Sequence, residues 1–259
     1  MNKTQFKIFR EAIKQTFSIK KIFEELSTLH IQEYLLLFLM TIAQVISFLF
    51  TKDASVLVLI LSISSIINLI LVDRGRITNY FWGSITTTAW VIIAIHTRLI
   101  GDIASQTFYL IMQFLGIYIW GKELRATTKH EVQSKKLTTF QALIYFVGTI
   151  LLYFMIVIIS KKLGGVQIWL DAALFPLAIV GQILMTFGYR SQWVAWNIIN
   201  IINIIIWYNQ FMVNGTSISL SMLMLQIVMF LNSIYGSIIW LKKSKSGSVA
   251  KFKNQIQGL

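Results

Sequence analysis

The chain has 259 residues, of which 56% are hydrophobic and only 13% are charged, about half the roughly 25% charged share of soluble domains. Its formal net charge is +13, but the basic residues lie between and outside the apolar runs, a pattern that marks membrane topology rather than nucleic-acid binding. The absence of cysteine excludes disulfides and thiol chemistry. The sequence therefore predicts a polytopic membrane protein.

Residues 1–33 are predicted to form a basic amphipathic leader on the cytoplasmic side. Apolar residues recur along it at helical spacing, first at Phe6, Phe9, Ile13 and Phe17. Lysines and arginines occupy the other faces, so the helix is suited to lie on the anionic cytoplasmic leaflet. A frayed leader without fixed structure is the alternative interpretation.

Eight apolar segments follow the leader, several of them close to the roughly 20 residues that cross a bilayer. They are predicted at 34–50, 54–72, 78–96, 103–121, 141–160, 168–187, 193–210 and 218–240. With eight spans, one side of the membrane holds every Lys and Arg except Lys52, Arg98, Lys161 and Lys162. Because basic residues accumulate on the cytoplasmic side, both termini are predicted to be cytoplasmic.

Two short patterns recur in the same order in both halves of the chain. Gly-x-x-x-Trp, with a lysine two residues later, occurs at Gly116–Trp120 and Gly236–Trp240. An arginine six residues before a tryptophan occurs at Arg76–Trp82 and Arg190–Trp196. The patterns predict two related three-helix units joined by a single span. An odd number of connecting spans makes the units parallel, as in some secondary transporters.

The predicted fold class is thus an all-α polytopic membrane protein with two parallel three-helix bundles, a linker helix between them (3+1+3) and one extra N-terminal span. The predicted parts are the leader 1–33, the extra span 34–53, the first repeat 54–121, the basic loop and linker helix 122–167, the second repeat 168–241, and a basic cytoplasmic tail 242–259.

The seventh segment has an unusual polar face. Its tryptophans and asparagines share one side of a 3.6-residue helix, at Trp193, Trp196, Asn200, Asn203 and Trp207, with Asn197 beside them. An asparagine amide in hydrocarbon is costly unless it faces protein, water or a ligand, so this face should point inward. It suits a flat, polar, ring-bearing solute. The alternative is that the amides only join helices and the tryptophans only fill space.

The pattern Trp193-x-x-Trp196-x-x-x-Asn200 resembles the signature of the PnuC family of nicotinamide riboside transporters. The Gly-x-x-x-Trp ends of both repeats also resemble that family, and the likeness covers roughly 35–243. It implies a SWEET-like 3+1+3 fold, a homotrimer, and facilitated diffusion of this vitamin precursor across the plasma membrane for NAD biosynthesis, with trapping by phosphorylation inside. The extra first span departs from the seven-helix pattern. Thiamine or riboflavin is the alternative solute, since related transporters carry them.

The resemblance implies that Trp193, Trp196 and Asn200 contact the substrate. Further candidates are polar residues within apolar spans, each of which has an alternative role in joining helices. These are Asn203, Gln113, Tyr118, Asn68, Asn232 and Tyr235. By contrast, Trp120 and Trp240 stand at segment ends near lysines and are predicted to belong to the interfacial aromatic belt.

The remaining polar residues argue against an enzyme. Among the carboxylates only Asp171 is predicted inside a span, near its end, where a structural role is expected; the lack of a buried carboxylate weakens proton or sodium coupling. His30, His96 and His130 share no metal-binding spacing. No metal, cofactor or nucleic-acid partner is predicted. The expected partners are a small solute, the lipid bilayer and further copies of the chain, and a non-transporting membrane assembly or receptor is the rival class.

Overall fold

Ten helices make up the regular structure of the described residues, which in this computed structural model are 3–50, 55–97, 100–126, 131–162 and 168–257. The helices are α1 Lys3–Thr16, α2 Ile19–Ser27, α3 Ile31–Phe50, α4 Val56–Arg74, α5 Asn79–Thr97, α6 Ile100–Ala126, α7 Thr139–Lys162, α8 Ile168–Thr186, α9 Gln192–Asn214 and α10 Ser217–Gln257. Helices α3 to α10 overlap the eight predicted apolar segments, but α10 continues past the predicted end at residue 240 to Gln257.

Five of these helices, α3, α4, α7, α8 and α10, are long and apolar enough within the described ranges to cross a membrane. The other three, α5, α6 and α9, have 19, 27 and 23 residues but carry more polar side chains. A polar residue in a membrane helix is tolerated where it faces other helices rather than lipid. The prediction of an all-helical, multi-pass membrane protein is confirmed.

The helix contacts follow the same scheme in both halves of the bundle. Helix α5 packs against α4 and α6, and α9 packs against α8 and α10. The halves meet where α6 packs against α8 and where α10 packs against α4. Helix α3 lies against α4 and α10, and α7 lies against α8. Most of α7 is exposed, and Val157 is its buried residue.

Two buried tryptophans join the halves at one end of the bundle. Trp120 of α6 donates from Nε1 to the carbonyl of Thr186 at the end of α8, at 3.0 Å. Trp240 of α10 donates in the same way to the carbonyl of Asp73 near the end of α4, at 3.1 Å. The last carbonyls of a helix have no partner within it, so each indole satisfies one of them. Both side chains are completely buried, and the prediction that they form an interfacial belt is wrong.

Residues 131–135, which we call the clasp, connect the same two helix ends. Gly75 after α4 and Gly188 after α8 have φ values of +70° and +74°, which end helices readily because glycine carries no Cβ. The carbonyl of Gly75 accepts from the backbone N of Val132 at 3.0 Å, and that of Gly188 accepts from the backbone N of Lys135 at 2.8 Å. The clasp thus ties α4 to α8.

Charged side chains surround the clasp. Glu131 lies 2.8 Å from Arg74, 2.9 Å from Lys243 and 3.5 Å from Arg76. Although burial raises the pKa of Glu131, these three cations outweigh that effect and hold it below its ordinary value. The carboxylate therefore stays ionised in the folded protein.

The leader is folded onto the bundle rather than frayed. The rings of Phe9 and Tyr118 meet edge to face, with centroids 6.3 Å apart, and Ala12 occupies the space that a side chain at Gly121 would need. In α2, a carboxylate oxygen of Glu25 accepts from the backbone N of Thr78 at 3.0 Å, which caps the start of α5. The apolar face of α1 packs on protein, whereas the sequence alone suggested a lipid surface.

Two carboxylates are buried within the long helices, contrary to prediction. Asp73 is the penultimate residue of α4, and Glu33 lies in the first turn of α3; neither is exposed. Glu33 accepts from the backbone N of His30 at 2.8 Å and lies 3.5 Å from Arg74. Asp73 was assigned to a loop because the predicted segment ended at residue 72. The expectation that Asp171 alone lies in a span is wrong; its own side chain is outside the described part of the structure.

Candidate functional site

A cavity of about 130 Å³ lies between α4, α5, α6, α8, α9 and α10, roughly ten times the room that one water needs. These are the six helices of the two predicted repeats. Neither the leader nor α3 nor α7 contributes a residue to its wall. A cavity at the junction of two helical units is where such bundles hold a solute.

Six of the nine predicted site residues line this cavity: Trp193, Trp196, Asn200, Asn203, Gln113 and Asn68. The structure places the other three elsewhere. Tyr118 faces the leader through Phe9, the Tyr235 hydroxyl lies 3.5 Å from Glu33, and Asn232 is fully buried in α10 outside the cavity wall. The predicted inward face of α9 is therefore observed, although one of its members, Trp207, packs in an apolar cluster beyond the cavity.

The two tryptophans of the motif have different surroundings. Trp193 is 2% exposed and packs against Trp240, with ring centroids 6.4 Å apart; a side chain at Gly236 would collide with its indole. Trp196 lies beside the ring of Tyr109, with centroids 5.9 Å apart. Trp193 is thus fixed by packing, whereas Trp196 and Tyr109 form an aromatic wall.

The asparagines of α9 join it to α10. Asn200 donates from Nδ2 to Oγ of Ser233 at 2.7 Å, and Asn197 donates to Oγ of Ser237 at 3.1 Å. The alternative interpretation, in which these amides join helices, is correct for both amide nitrogens. Of these two residues, Asn200 lines the cavity and Asn197 does not, so they differ in their access to a solute.

Asn68 and Gln113 meet at the opposite wall, where Gly83 leaves room for them. A Cβ added at Gly83 would lie 2.8 Å from the Asn68 amide nitrogen and 2.9 Å from that of Gln113. Asn68 donates to the carbonyl of Asn79 at 2.6 Å. Its amide therefore also fixes the α4–α5 contact.

Several buried polar atoms of the cavity wall lack a hydrogen-bond partner. They are Nε1 of Trp193, Oε1 of Gln113, Nε2 of Gln182, and both Nε2 and Oε1 of Gln226. An unpaired buried polar group costs about 1–3 kcal/mol, and such groups are rare in native proteins. The set contains neutral donors and acceptors, which can pair with the amide or hydroxyl groups of a polar solute or with water.

Sequence reasoning missed Gln182 and Gln226. Both lie inside apolar stretches, Gln182 in α8 and Gln226 in α10, and both are buried. The polarity rule that selected Gln113 applies to them equally. Neither glutamine belongs to the Gly-x-x-x-Trp or arginine–tryptophan patterns that recur in the two halves, so those patterns did not single them out.

The cavity wall is uncharged within the described residues, which include no Asp, Glu, Lys, Arg or His among its lining side chains. The buried Asp73 and Glu33 are outside it. Its aromatic faces come from Trp90 and Tyr109 in addition to the two motif tryptophans. Such a wall recognises a solute through ring stacking and neutral hydrogen bonds, and through cation–π attraction if the ring is cationic.

Relatives match the chain over most of its length. A family model described as nicotinamide mononucleotide transporter matches residues 55–242, from just before α4 into α10. A Haemophilus influenzae protein named nicotinamide riboside transporter PnuC is 30% identical over 215 residues, covering 82% of this chain and 91% of that protein. The Neisseria mucosa protein of the same name is 29% identical over 209 residues, covering 79% of each.

A solved structure has a similar fold. The crystal structure of the vitamin B3 transporter PnuC aligns with a TM-score of 0.78 and 28% identity, covering 88% of this chain and 99% of that one. The bundle of membrane helices around an uncharged polar cavity defines the class of small-solute membrane transporters. The family match covers well over half of the chain. The chain belongs to the nicotinamide mononucleotide transporter family, and it is a transporter, not an enzyme.

Proposed function

We propose that the chain carries nicotinamide riboside across the plasma membrane by facilitated diffusion. The uncharged, aromatic cavity is the observation that carries this proposal. The nicotinamide ring of the riboside is a flat pyridinium cation, for which a well-placed tryptophan face contributes about 0.5–2 kcal/mol. The mononucleotide would bring a phosphate into a wall without a cation, at a large desolvation cost. The cavity therefore favours the riboside over the mononucleotide. The relatives described above are likewise named nicotinamide riboside transporters.

Individual residues take distinct roles in this proposal. Trp196 and Tyr109 form the aromatic wall on which the ring stacks, and Trp193 supports the wall and offers its unpaired indole N–H. Asn200 on α9 and Gln226 on α10 pair with the carboxamide or the ribose hydroxyls. A site built for such groups rejects analogues that lack them more sharply than an apolar pocket would.

The repeats predicted from the sequence form the second part of the proposal. The matched indole bonds of Trp120 and Trp240 support an arrangement of α4–α6 and α8–α10 as two parallel units. Gly116 lies under Tyr80 as Gly236 lies under Trp193. This equivalence pairs Tyr80, four residues after Arg76, with Trp193, three residues after Arg190. It is therefore shifted by one residue from the alignment in which Arg76–Trp82 matches Arg190–Trp196. Helix α3 contacts α4 as α7 contacts α8, so the extra span is a counterpart of the linker.

The third part concerns topology and energetics. We place eight spans in the plasma membrane, with the leader, clasp and tail in the cytoplasm, because that side carries most of the basic residues. Transport is passive, since the buried Asp73 and Glu33 do not line the cavity, and phosphorylation inside the cell retains the solute. The homotrimer implied by family resemblance remains part of this proposal, with the exposed apolar α7 available for contacts or lipid.

Calorimetry on the purified chain tests the substrate directly. We expect nicotinamide riboside to bind and the mononucleotide to bind at least a hundredfold more weakly. Equal affinity for the two would contradict the proposal. Thiamine and riboflavin, titrated in the same way, test the alternative solutes. Uptake into vesicles then separates a transporter from a receptor. The riboside concentration inside the vesicles should rise to the outside concentration and no further, and protonophores should not change the uptake.

A further inference from the structure

Helix α1 exposes a basic stripe on the face opposite its protein contacts. Its exposed cations follow one another at helical spacing, at Lys3, Lys7, Arg10 and Lys14. The apolar face that includes Phe9 and Ala12 packs on α6. The stripe is therefore free to meet a partner outside the chain.

The acidic residues of the leader do not neutralise this stripe. Glu11 pairs with Arg125 of α6 at 2.5 Å, Glu24 pairs with Lys21 at 2.9 Å, and Glu25 caps the start of α5. None of these three contacts involves Lys3, Lys7, Arg10 or Lys14. The outward face of the leader thus presents uncompensated positive charge.

Aromatic side chains accompany the charges. Phe6 of α1 is 60% exposed, Phe17 just after α1 is 44% exposed, and Phe23 of α2 is 68% exposed. Basic residues interleaved with large exposed aromatics are typical of helices that lie in the headgroup region of a membrane. A lipid would bury these aromatic rings in hydrocarbon, whereas an acidic protein or a nucleic acid would not.

An apolar groove runs from Phe17 along the outer face of α4 and α5. Phe17 lines one end beside Phe81, with ring centroids 5.8 Å apart, and Leu57 and Ile92 line it further along. Residues 81–92 of a helix extend over roughly 16 Å, about the length of a lipid acyl chain. The groove is open to the side, with a volume of about 410 Å³.

We propose that the leader and this groove form a binding site for one anionic phospholipid. The phosphate lies between Lys14, one turn before Phe17, and Lys20 in the first turn of α2, and an acyl chain lies in the groove. Charge complementarity selects an anionic lipid, and the apolar groove selects an acyl chain over a free phosphate. The location in the cytoplasmic leaflet, where anionic lipids attract polybasic segments, rests on the proposed topology.

Lipid binding to the purified full-length chain in detergent tests this site. Native mass spectrometry with phosphatidylglycerol and phosphatidylcholine of identical 16- and 18-carbon chains gives the affinity for each. We expect the wild type to bind phosphatidylglycerol about tenfold more tightly than phosphatidylcholine, because each Lys or Arg near an anionic lipid headgroup strengthens binding. Lys14→Gln/Lys20→Gln should reduce the preference to less than threefold.

Two further variants separate headgroup from chain. Lys136→Gln/Lys242→Gln removes two exposed lysines away from the leader and should keep the full preference. Thr88→Trp places a ring in the exposed groove and should weaken both lipids while leaving their ratio unchanged. No preference in the wild type, or an equal loss in the control pair, overturns the proposal. Riboside affinity measured on the same samples reports on the proposed function separately, since none of these residues lines the cavity.

Discussion

The cavity and the clasp end of the bundle differ in the charge of their polar groups. The clasp end is charged: Glu131 lies 2.8 Å from Arg74 and 2.9 Å from Lys243, and Trp240 donates to the carbonyl of Asp73, although both carboxylate oxygens of Asp73 lack a hydrogen-bond partner. The cavity wall is uncharged, and buried atoms such as both amide atoms of Gln226 lack partners. The ion pairs of the clasp end indicate that it holds the helices together, whereas the uncharged cavity wall is suited to bind a solute.

The largest effect is expected at the clasp end, for Trp240→Ala. The side chain is completely buried, so its loss leaves a void and removes the indole hydrogen bond to the carbonyl of Asp73. We expect the free energy of unfolding to fall by about 3–5 kcal/mol, as is typical when a large core aromatic is truncated. Denaturation in detergent measures it. Trp169→Ala, at a position 56% exposed, is the matched control and should have little effect; equal losses would show that burial of Trp240 is not what matters.

The next effect sharpens the role of the α9 motif. Asn200→Leu removes an amide that lines the cavity, and we expect riboside binding to weaken by about 1–3 kcal/mol. Leucine is favourable in a membrane helix, so the chain should still fold. Asn197→Leu breaks a similar bond to α10 outside the cavity and should leave affinity within threefold. Calorimetry on both variants decides whether position relative to the cavity matters, and equal affinities for wild type and Asn200→Leu would reduce the motif to helix packing.

A smaller effect on stability is expected for Glu131→Gln. The carboxylate makes close contacts with Arg74 and Lys243, and we expect its loss to cost about 1–2 kcal/mol of unfolding free energy without changing riboside affinity. A change in affinity with unchanged stability would reverse the assignment of the two regions.

The pH dependence of this contribution follows from the sign of the pKa shift. The folded state holds the pKa of Glu131 below its ordinary value of 4.5, so folding favours the ionised carboxylate. Its stabilisation is fully present above about pH 4.5 and is lost as the pH falls through the lower, folded-state pKa. The difference in stability between wild type and Glu131→Gln should therefore shrink in that acidic range, and thermal unfolding at a series of pH values measures it.

The sequence predicted the helices and the inward face of α9 because both depend on local periodicity. Trp196 and Asn200 line the cavity, as the 3.6-residue spacing required. Contacts between distant residues were not predictable in this way. Trp120 was assigned to the membrane surface because its carbonyl partner, that of Thr186, lies 66 residues away in the chain.

Two other differences have local causes. Asp73 was assigned to a loop because the predicted segment ended at the last apolar residue, at position 72. In the structure α4 continues to Arg74. The leader was assigned to the membrane surface because an amphipathic face can pack on lipid or on protein, and the sequence does not distinguish them. The packing of Ala12 against Gly121 depends on two small residues more than a hundred positions apart.

Gln226→Leu tests the contrast between the two regions most directly. The amide is completely buried with both polar atoms unpaired, so the fold bears its desolvation cost when no solute is bound. Replacing it with leucine should raise the free energy of unfolding by about 1 kcal/mol and weaken riboside binding by about tenfold in calorimetry on the same protein. A variant that is less stable yet binds the riboside as tightly as the wild type would contradict the account.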